Sequence, residues 1–282
     1  MNGILIAEAG STKTNWSLLT SKYEGIKRFS TKGINPAIQS ESEVLTVISE
    51  ASNHYKNYKI SNIHYFGAGC IDKELKNLIR NKLRLFGEQA DIEVQSDLLG
   101  AARSLFGDSE GIACILGTGS NSCIYKNNRI VEKIPSLGYV LGDEGSGASL
   151  GKKLLNYIFK KQLSPSIINQ FKAEYNLTLE DMIRKVYREP RPAAYLASFS
   201  SFLHKNLKES EIYDLVFEEF DSFIKKNVVN YPDYKNMMVG FVGSVAHYYS
   251  DILNAIAKKH DIQIVKIERD PMPSLEIYYS HR

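Results

Sequence analysis

A short polar run near the start of the chain has residue types that suit an anion. Gly10, Ser11, Thr12 and Lys13 come soon after the apolar residues 4–6. Glycine lets backbone amides approach an anion closely, hydroxyls donate hydrogen bonds to its oxygens, and lysine neutralises its charge. The run therefore predicts a phosphate-binding turn, although a polar hairpin turn between two strands is an equally good explanation of the same residues.

This run does not have the order of a Walker A loop. That motif places Gly-Lys-Ser/Thr at the start of a helix, whereas Thr12 precedes Lys13 here. Residues 15–20 carry alternating side chains, which predict a strand that leaves a hairpin. A phosphate site at this position would therefore belong to a strand–turn–strand unit.

A second glycine-rich turn repeats the arrangement. The apolar residues 111–116 lead into GTGSNS at 117–122, and residues 123–125 predict a departing strand. Asn127 and Asn128 then predict a hairpin turn before a strand at 129–134. The recurrence indicates a duplicated fold and favours phosphate binding over a simple hairpin.

The elements that must position these turns predict an α/β protein. Further strands are expected at 4–7, 62–66, 91–95, 237–242 and 262–267, and helices at 42–55, 73–86, 98–106, 195–207 and 212–224. The stretch between about 145 and 230 is predominantly helical, with a break at 190–192, and the chain ends in a short tail.

Composition excludes several classes of function. A chain of 282 residues is long enough for two domains with separate cores, and its net charge of +3 gives no reason to expect nucleic acid as a partner. Neither a signal peptide nor a membrane-spanning apolar stretch is visible. The three cysteines form no C-x-x-C motif, so neither a zinc site nor a disulfide framework is expected. We expect a cytoplasmic protein with reduced thiols and no membrane partner.

Several motifs, taken in order and spacing, carry a family resemblance. They are AEAGSTKT, SDLLGAA, ILGTGSN, GYVLGDEGSG and GFVGSVA. Together they resemble the actin-like ATPase-fold sugar kinases, and most closely the N-acetylglucosamine kinase branch, also called the BadF/BadG/BcrA/BcrD family. GTGSN followed by GDEGS is the specific part of a match that extends over nearly the whole chain.

The resemblance implies an α/β fold of two ribonuclease-H-like domains around a cleft that holds ATP and sugar. The first domain would comprise residues 1–106, and the second residues 107–268 with a helical insertion at about 145–230. Residues 269–282 would pack back on the first domain. The implied cofactors are ATP and Mg²⁺, the implied partner is a small amino sugar, and a homodimer is compatible with the family.

The resemblance also gives roles to individual residues. Asp97 would be the general base that accepts the proton of the sugar hydroxyl, although the residues alone also predict it as the N-cap of the following helix. Glu8 would hold Mg²⁺ through the water shell of the ion. The other implied contacts are Gly10, Ser11, Thr12, Lys13, Gly117, Thr118 and Gly119 for the ATP phosphates, Gly243, Ser244 and Val245 for adenosine, and Asn35, Asp97, Thr118, Ser120 and Asp143 for the sugar.

Some positions depart from the family pattern. Ala9 and Ser11 replace glycines of the first phosphate loop, and Ser244 replaces the second glycine of the adenosine motif. Pro36 follows Asn35, and the tryptophan that some relatives carry nearby is missing. The adenine site and the stacking of the sugar are therefore the parts that the motifs define least.

The predicted function is phosphorylation of N-acetylglucosamine at its 6-hydroxyl. A kinase for glucosamine or N-acetylmuramic acid, a non-catalytic sugar or nucleotide sensor, and an ATPase that activates acyl-CoA dehydratases are the alternatives. A sensor would not need a base such as Asp97. The dehydratase activators need closely placed cysteines for an iron–sulfur cluster, and Cys70, Cys114 and Cys123 are widely spaced.

Overall fold

The computed structural model describes residues 2–20 and 26–282. The chain divides into two compact units. The first is drawn from Met1–Ser109, Tyr125–Ile130 and Asp270–Arg282, and the second from Glu110–Ile124 and Val131–Arg269. The assignment of residues 1–106 and 107–268 to two domains remains a prediction.

The first unit is built on a mixed five-stranded sheet. Its strands are β1 (Asn2–Ala9), β2 (Lys13–Thr20), β3 (Ile26–Lys32), β4 (Lys59–Gly67) and β5 (Asp91–Ser96), in the order β3-β2-β1-β4-β5. The first three strands are antiparallel neighbours, whereas β4 runs parallel to β1 and β5 runs parallel to β4. The helices are α1 (Glu41–Tyr55), α2 (Lys73–Leu83) and α3 (Asp97–Phe106).

Both faces of this sheet are covered. On one face Trp16 and Tyr65 pack with Ile48 of α1 and Ile79 of α2, and each of these side chains is fully buried. Ile6 and Phe66 belong to a separate cluster with residues near the end of the chain. Burial on both faces fixes the register of the central strands, because a slip by one residue would exchange the two sets of side chains.

A second five-stranded sheet, most of which lies in the second unit, repeats the strand order of the first sheet. Its strands are β6 (Gly111–Leu116), β7 (Ser120–Lys126), β8 (Arg129–Ile134), β9 (Met238–Val242) and β10 (Gln263–Glu268), in the order β10-β9-β6-β7-β8. Counted from its own first strand, each sheet has the order third, second, first, fourth, fifth. The predicted duplicated α/β fold is confirmed.

Helices dominate the segment between β8 and β9. They are α4 (Gly138–Leu141), α5 (Gly147–Phe159), α6 (Pro165–Tyr175), α7 (Leu179–Tyr187), α8 (Pro192–Ser198), α9 (Ser200–Lys205) and α10 (Ser210–Phe223). A π-helical turn at Ile224–Val228 follows α10, and α11 (Ser244–Tyr248) and α12 (Ser250–Lys259) join β9 to β10. Among the helices of residues 2–20 and 26–282, none has the length and apolar composition that a membrane span requires.

Two predicted helices have different bounds in the structure. The predicted helix 195–207 is divided at Phe199 into α8 and α9, where the hydroxyls of Ser198 and Ser200 donate to backbone carbonyls of the preceding turn. Such bonds compete with regular helix geometry. The helix predicted at 73–86 ends as α2 at Leu83 and continues as a 3₁₀ turn.

The predicted tail contains a helix, α13 (Met272–Ser280), which packs against β1, β2 and α3. Its Glu276 is 3% exposed and accepts hydrogen bonds from Ser17 and from Arg28 Nε at 2.7 Å. Long-range ionic contacts therefore hold this helix in place. The sequence contains no periodic pattern that would predict these contacts.

A second ionic network lies between α3, β4 and β5. Arg103 Nη1 donates to Glu93 Oε1 at 2.9 Å and to the Tyr279 hydroxyl at 2.6 Å, and His64 Nδ1 lies 2.9 Å from Glu93 Oε2. Burial alone would raise the pKa of Glu93, but the contacts with His64 and Arg103 lower it to about 2. The network therefore stabilises the fold while Glu93 is ionised.

We expect Glu93→Gln to lower the free energy of unfolding at pH 7 by about 1.5–3 kcal/mol, because the hydrogen bonds lose their charge. The folded pKa lies below the unfolded value of 4.5, so the contribution is present above pH 4.5 and is lost as pH falls toward 2. Urea unfolding at several pH values measures it, with Glu50→Gln on the exposed face of α1 as control. A deficit of equal size at pH 7 and pH 3 would contradict the account.

Candidate functional site

The carboxyl edge of the first sheet brings together two predicted site residues. Ala9 of β1 pairs with Gly67 of β4, and Gly67 pairs with Ser96 of β5, so the three strands end level. Glu8 precedes Ala9 and Asp97 follows Ser96. Because neighbouring strands lie about 4.8 Å apart, the two acids lie at one edge with a single strand between them.

Asp97 is the first residue of α3 and not its N-cap. The cap is Ser96, whose hydroxyl accepts from the Leu99 amide. Asp97 Oδ1 accepts from the Leu98 amide at 2.8 Å. The prediction that Asp97 caps the helix is therefore wrong, because the serine one residue earlier holds that position. Burial raises the pKa of Asp97, and the backbone hydrogen bonds limit the rise.

Glu8 lies in an unfavourable environment for a negative charge. Burial raises its pKa to about 8, and the charges of Asp270 and Asp97 add to the rise. The amide of Asn15, directly across from Glu8 in the β1–β2 register, and the charge of Lys13 act in the opposite direction. A cation at this edge would remove the penalty of ionising Glu8.

Two residues of this edge are absent from the sequence predictions. Asn15 Nδ2 lies 3.5 Å from Glu8 Oε2 and 3.5 Å from Asp270 Oδ2, and its Oδ1 accepts from Ser30 Oγ at 3.1 Å. The hairpin register gives a signal for Asn15, since it faces Glu8 directly. Asp270 has no local signal, because it reaches the edge only through the docking of α13.

The acids of this edge fit a hydrated Mg²⁺ ion. Within residues 2–20 and 26–282 no group of three or more side chains of the usual metal-ligating types is assembled. Mg²⁺ nevertheless keeps several waters and uses only one or two carboxylates together with substrate phosphates. Glu8 and Asp270 would supply those carboxylates.

The first predicted phosphate turn is hydrogen-bonded to Asn35, the residue predicted to bind the sugar. Gly10 N donates to Lys13 O at 2.9 Å and closes the turn between β1 and β2. Asn35 Nδ2 donates to Ser11 Oγ at 3.0 Å. Gly33 packs directly on the turn, because a Cβ there would lie 2.4 Å from the Gly10 carbonyl oxygen. The structure thus brings Asn35 and the first turn together.

The Asn35 side chain is fixed from several sides. Its Oδ1 accepts from the Ala37 amide at 3.1 Å, and its own backbone amide donates to Gln39 Oε1 at 2.7 Å. Gly69, with a φ of +76°, leaves room for it, since a Cβ there would lie 2.0 Å from Asn35 Oδ1. These contacts orient the amide before any ligand binds.

The second predicted phosphate turn is shorter than expected. It covers residues 117–119, because β7 begins at Ser120. The amides of Gly147 and Ala148, in the first turn of α5, donate to the carbonyls of Gly117 and Thr118 at 2.8 and 3.1 Å. The start of α5 therefore fixes the backbone of this turn.

Asp143 lies against the second turn. Its Oδ1 accepts from the Ser120 amide at 3.4 Å and from Ser136 Oγ at 3.3 Å, and a Cβ on Gly119 would lie 2.9 Å from its Oδ2. Burial raises the pKa of Asp143. The neighbouring Glu144 binds Lys226 Nζ at 2.7 Å, which gives it a structural partner of its own.

The predicted adenosine segment follows β9. Gly243 has a φ of +125°, and a Cβ there would lie 2.2 Å from the Leu116 carbonyl oxygen, so a glycine is required where β9 approaches the end of β6. Ser244 is exposed, whereas the Val245 side chain is buried in the core of the second unit. Any contact of Val245 with a ligand would therefore involve its backbone.

Comparison with known proteins finds similar chains among solved structures. No family model and no curated protein matches the chain. Among solved structures, the chain is similar to a putative N-acetylglucosamine kinase from Porphyromonas gingivalis, with 39% identity, 99% of each chain covered and a TM-score of 0.89. A putative N-acetylglucosamine kinase from Chromobacterium violaceum (16% identity, 98% of each chain, TM-score 0.77) and a ROK family glucokinase from Streptomyces griseus in complex with glucose and AMPPNP (12%, 98% of each chain, 0.55) share the fold.

Glu8→Gln should stabilise the free protein at alkaline pH. Because the folded pKa of about 8 lies above the unfolded value of 4.5, only the unfolded chain ionises between these values, so stability falls as pH rises through this window. Glutamine carries no charge at any pH. We expect a Tm higher than that of the unsubstituted protein by about 2–4 °C at pH 8, and equal Tm values at pH 4.5.

Thermal melts in the presence of EDTA measure this difference, and Glu50→Gln on exposed α1 is again the control. A Tm difference that does not change between pH 4.5 and pH 8 would show that Glu8 is not held in its neutral form.

Proposed function

The chain belongs to the family of ATP-dependent sugar kinases with the actin-like fold, and on that premise we propose that it transfers the γ-phosphate of ATP to the 6-hydroxyl of N-acetylglucosamine. The relative with 39% identity is described as a putative kinase of this sugar. The observation that supports the proposal most strongly is the edge of the first sheet. It brings together a candidate base, Asp97, and a hydroxyl-rich turn whose Ser11 is hydrogen-bonded to the amide of Asn35.

Asp97 is proposed as the general base. A sugar hydroxyl is a weak nucleophile, and a carboxylate that accepts its proton assists in-line attack on the γ-phosphate. The raised pKa of Asp97, caused by burial, brings its basicity closer to that needed for proton transfer near neutral pH. Its bond to the Leu98 amide holds one oxygen and leaves the other for the substrate.

The two turns are proposed to bind the nucleotide phosphates. In the first unit Ser11, Thr12 and Lys13 offer hydroxyls and a positive charge, and in the second unit Thr118 offers a hydroxyl on a backbone fixed by α5. Glu8 and Asp270 would hold hydrated Mg²⁺, which neutralises phosphate charge when bound. Asn35 would orient the sugar, because its amide both donates and accepts.

Two other amino sugars are alternative substrates to N-acetylglucosamine. Glucosamine and N-acetylmuramic acid differ from N-acetylglucosamine in the acyl group or by an added lactyl group, and both retain the 6-hydroxyl. ADP release measured with each of the three sugars identifies the substrate. Turnover of another sugar without turnover of N-acetylglucosamine would overturn the substrate proposal, and no release with any sugar would favour a sensor.

We also propose that the protein works in the cytoplasm and belongs to the BadF/BadG/BcrA/BcrD branch. ATP as phosphate donor agrees with that compartment, as do Cys70, Cys114 and Cys123, which are free and buried. The branch proposal rests on the five motifs named above.

Asp97→Asn should lower kcat on the order of 10²–10⁴-fold, because the substitution keeps size and hydrogen bonding but removes the proton acceptor. The Tm should change little, since Ser96 caps α3. Steady-state kinetics and thermal melts measure both quantities. Asp72→Asn, which alters the aspartate that caps α2, is the matched control and should retain kcat. A folded Asp97→Asn protein with near-normal kcat would exclude Asp97 as the base.

Thr118→Ala should impair the binding or the turnover of ATP. The substitution removes a hydroxyl from the second predicted phosphate turn, whose backbone is held by the start of α5. We expect KM for ATP to rise or kcat to fall by about 10-fold, the size of one lost hydrogen bond to a charged group. Thr46→Ala, which removes an exposed hydroxyl from α1, is the control. Unchanged KM and kcat in Thr118→Ala would remove the assignment of this turn to phosphate.

A further inference from the structure

Tyr65 places a hydroxyl group inside the hydrophobic core of the first unit. Its side chain lies on β4, is fully buried and packs 6.4 Å from Trp16 between ring centroids. Within residues 2–20 and 26–282 its hydroxyl has no hydrogen-bond partner. Burying an unpaired hydroxyl is unfavourable, and a phenylalanine would fill the same space without that penalty.

The hydroxyl lies at the carboxyl edge of the sheet. A Cβ on Gly67 would lie 2.4 Å from Tyr65 Cε1 and 2.9 Å from the hydroxyl oxygen, so the ring extends along the backbone of Gly67. Gly67 is the residue that pairs with both Ala9 and Ser96. Tyr65 therefore reaches the level of the strand ends that carry Glu8 and Asp97.

The surroundings keep this hydroxyl protonated. Burial raises the pKa of Tyr65 well above its ordinary value, and Cys70, Glu8 and Asp97 add to the effect. Burial likewise raises the pKa of Cys70 to about 12. The phenol is thus a constant hydrogen-bond donor, and the nearby acids are the groups best able to accept.

We propose, on the premise that the chain is the sugar kinase described above, that Tyr65 is a positioning residue whose hydroxyl donates to one ordered water, and that this water donates to the Asp97 carboxylate. Buried waters bond to polar groups that otherwise lack partners. The second Asp97 oxygen is thereby held toward the sugar hydroxyl, while the Leu98 amide holds the first. No proton leaves the phenol in this role.

Tyr65→Phe tests the proposal, because a structural and a positioning hydroxyl give opposite results. We expect kcat to fall on the order of 10-fold, with KM for ATP unchanged. The matched control is Tyr55→Phe, since the Tyr55 hydroxyl, in the same core, donates to the carbonyls of Trp16 and Lys27 at 3.2 and 3.1 Å. That control should lower Tm and leave kcat unchanged.

The double variant Tyr65→Phe/Asp97→Asn separates this proposal from the proposed function. If Tyr65 acts through Asp97, adding Tyr65→Phe to Asp97→Asn should cause no further loss of kcat. Full kcat in Tyr65→Phe, or an additive loss of kcat in the double variant, would overturn the positioning role. Normal kcat in Asp97→Asn would instead overturn the proposed function.

A crystal structure of the unsubstituted protein decides the question independently of activity. The expected result is an ordered water within about 2.6–3.2 Å of both the Tyr65 hydroxyl and an Asp97 oxygen. Density that shows no water between them would overturn the proposal.

Discussion

The parallel register of β1, β4 and β5 is the constraint on which the candidate site depends. It aligns Ala9, Gly67 and Ser96 across three strands. Glu8 and Asp97 are adjacent to Ala9 and Ser96 in the chain, and the ring of Tyr65 lies against Gly67. A slip by one residue would turn each of these side chains to the opposite face. The apolar packing on both faces of the sheet therefore also fixes the placement of the polar groups at its edge.

Acidic side chains cluster at this edge, and the docking of α13 adds Asp270 to them. Docking of α13 through Glu276 and Tyr279 brings Asp270 next to Asn15 and Glu8. Burial raises the pKa of Glu8 to about 8, and the nearby like charges of Asp270 and Asp97 add to the rise, so the neutral form of Glu8 is favoured at neutral pH. A hydrated cation with its nucleotide would compensate that charge. Residues from the two ends of the chain thus contribute to one electrostatic feature of the first unit.

Local signals in the sequence predict the strands, the turns and the acids that follow them. The periodicity of residues 91–95 and the helix after it place Asp97 correctly at a strand end, but they cannot distinguish a cap from a free carboxylate when Ser96 is adjacent. Asp270, Arg28 and Gly33 act through contacts between distant segments, and α13 lacks a distinct apolar stripe. In the sequence, Tyr65 cannot be distinguished from an ordinary core residue. In the described part of the structure, its hydroxyl without a hydrogen-bond partner distinguishes it.

The central claim is that the edge of the first sheet presents Asp97 to a sugar hydroxyl. A crystal structure of the protein with N-acetylglucosamine and a non-hydrolysable ATP analogue tests it most directly. The account predicts that the 6-hydroxyl oxygen lies within about 2.6–3.2 Å of an Asp97 carboxylate oxygen, with Asn35 in contact with the same sugar. A bound sugar whose hydroxyls are all beyond hydrogen-bonding distance of Asp97, while the carboxylate contacts only backbone amides, would contradict the account.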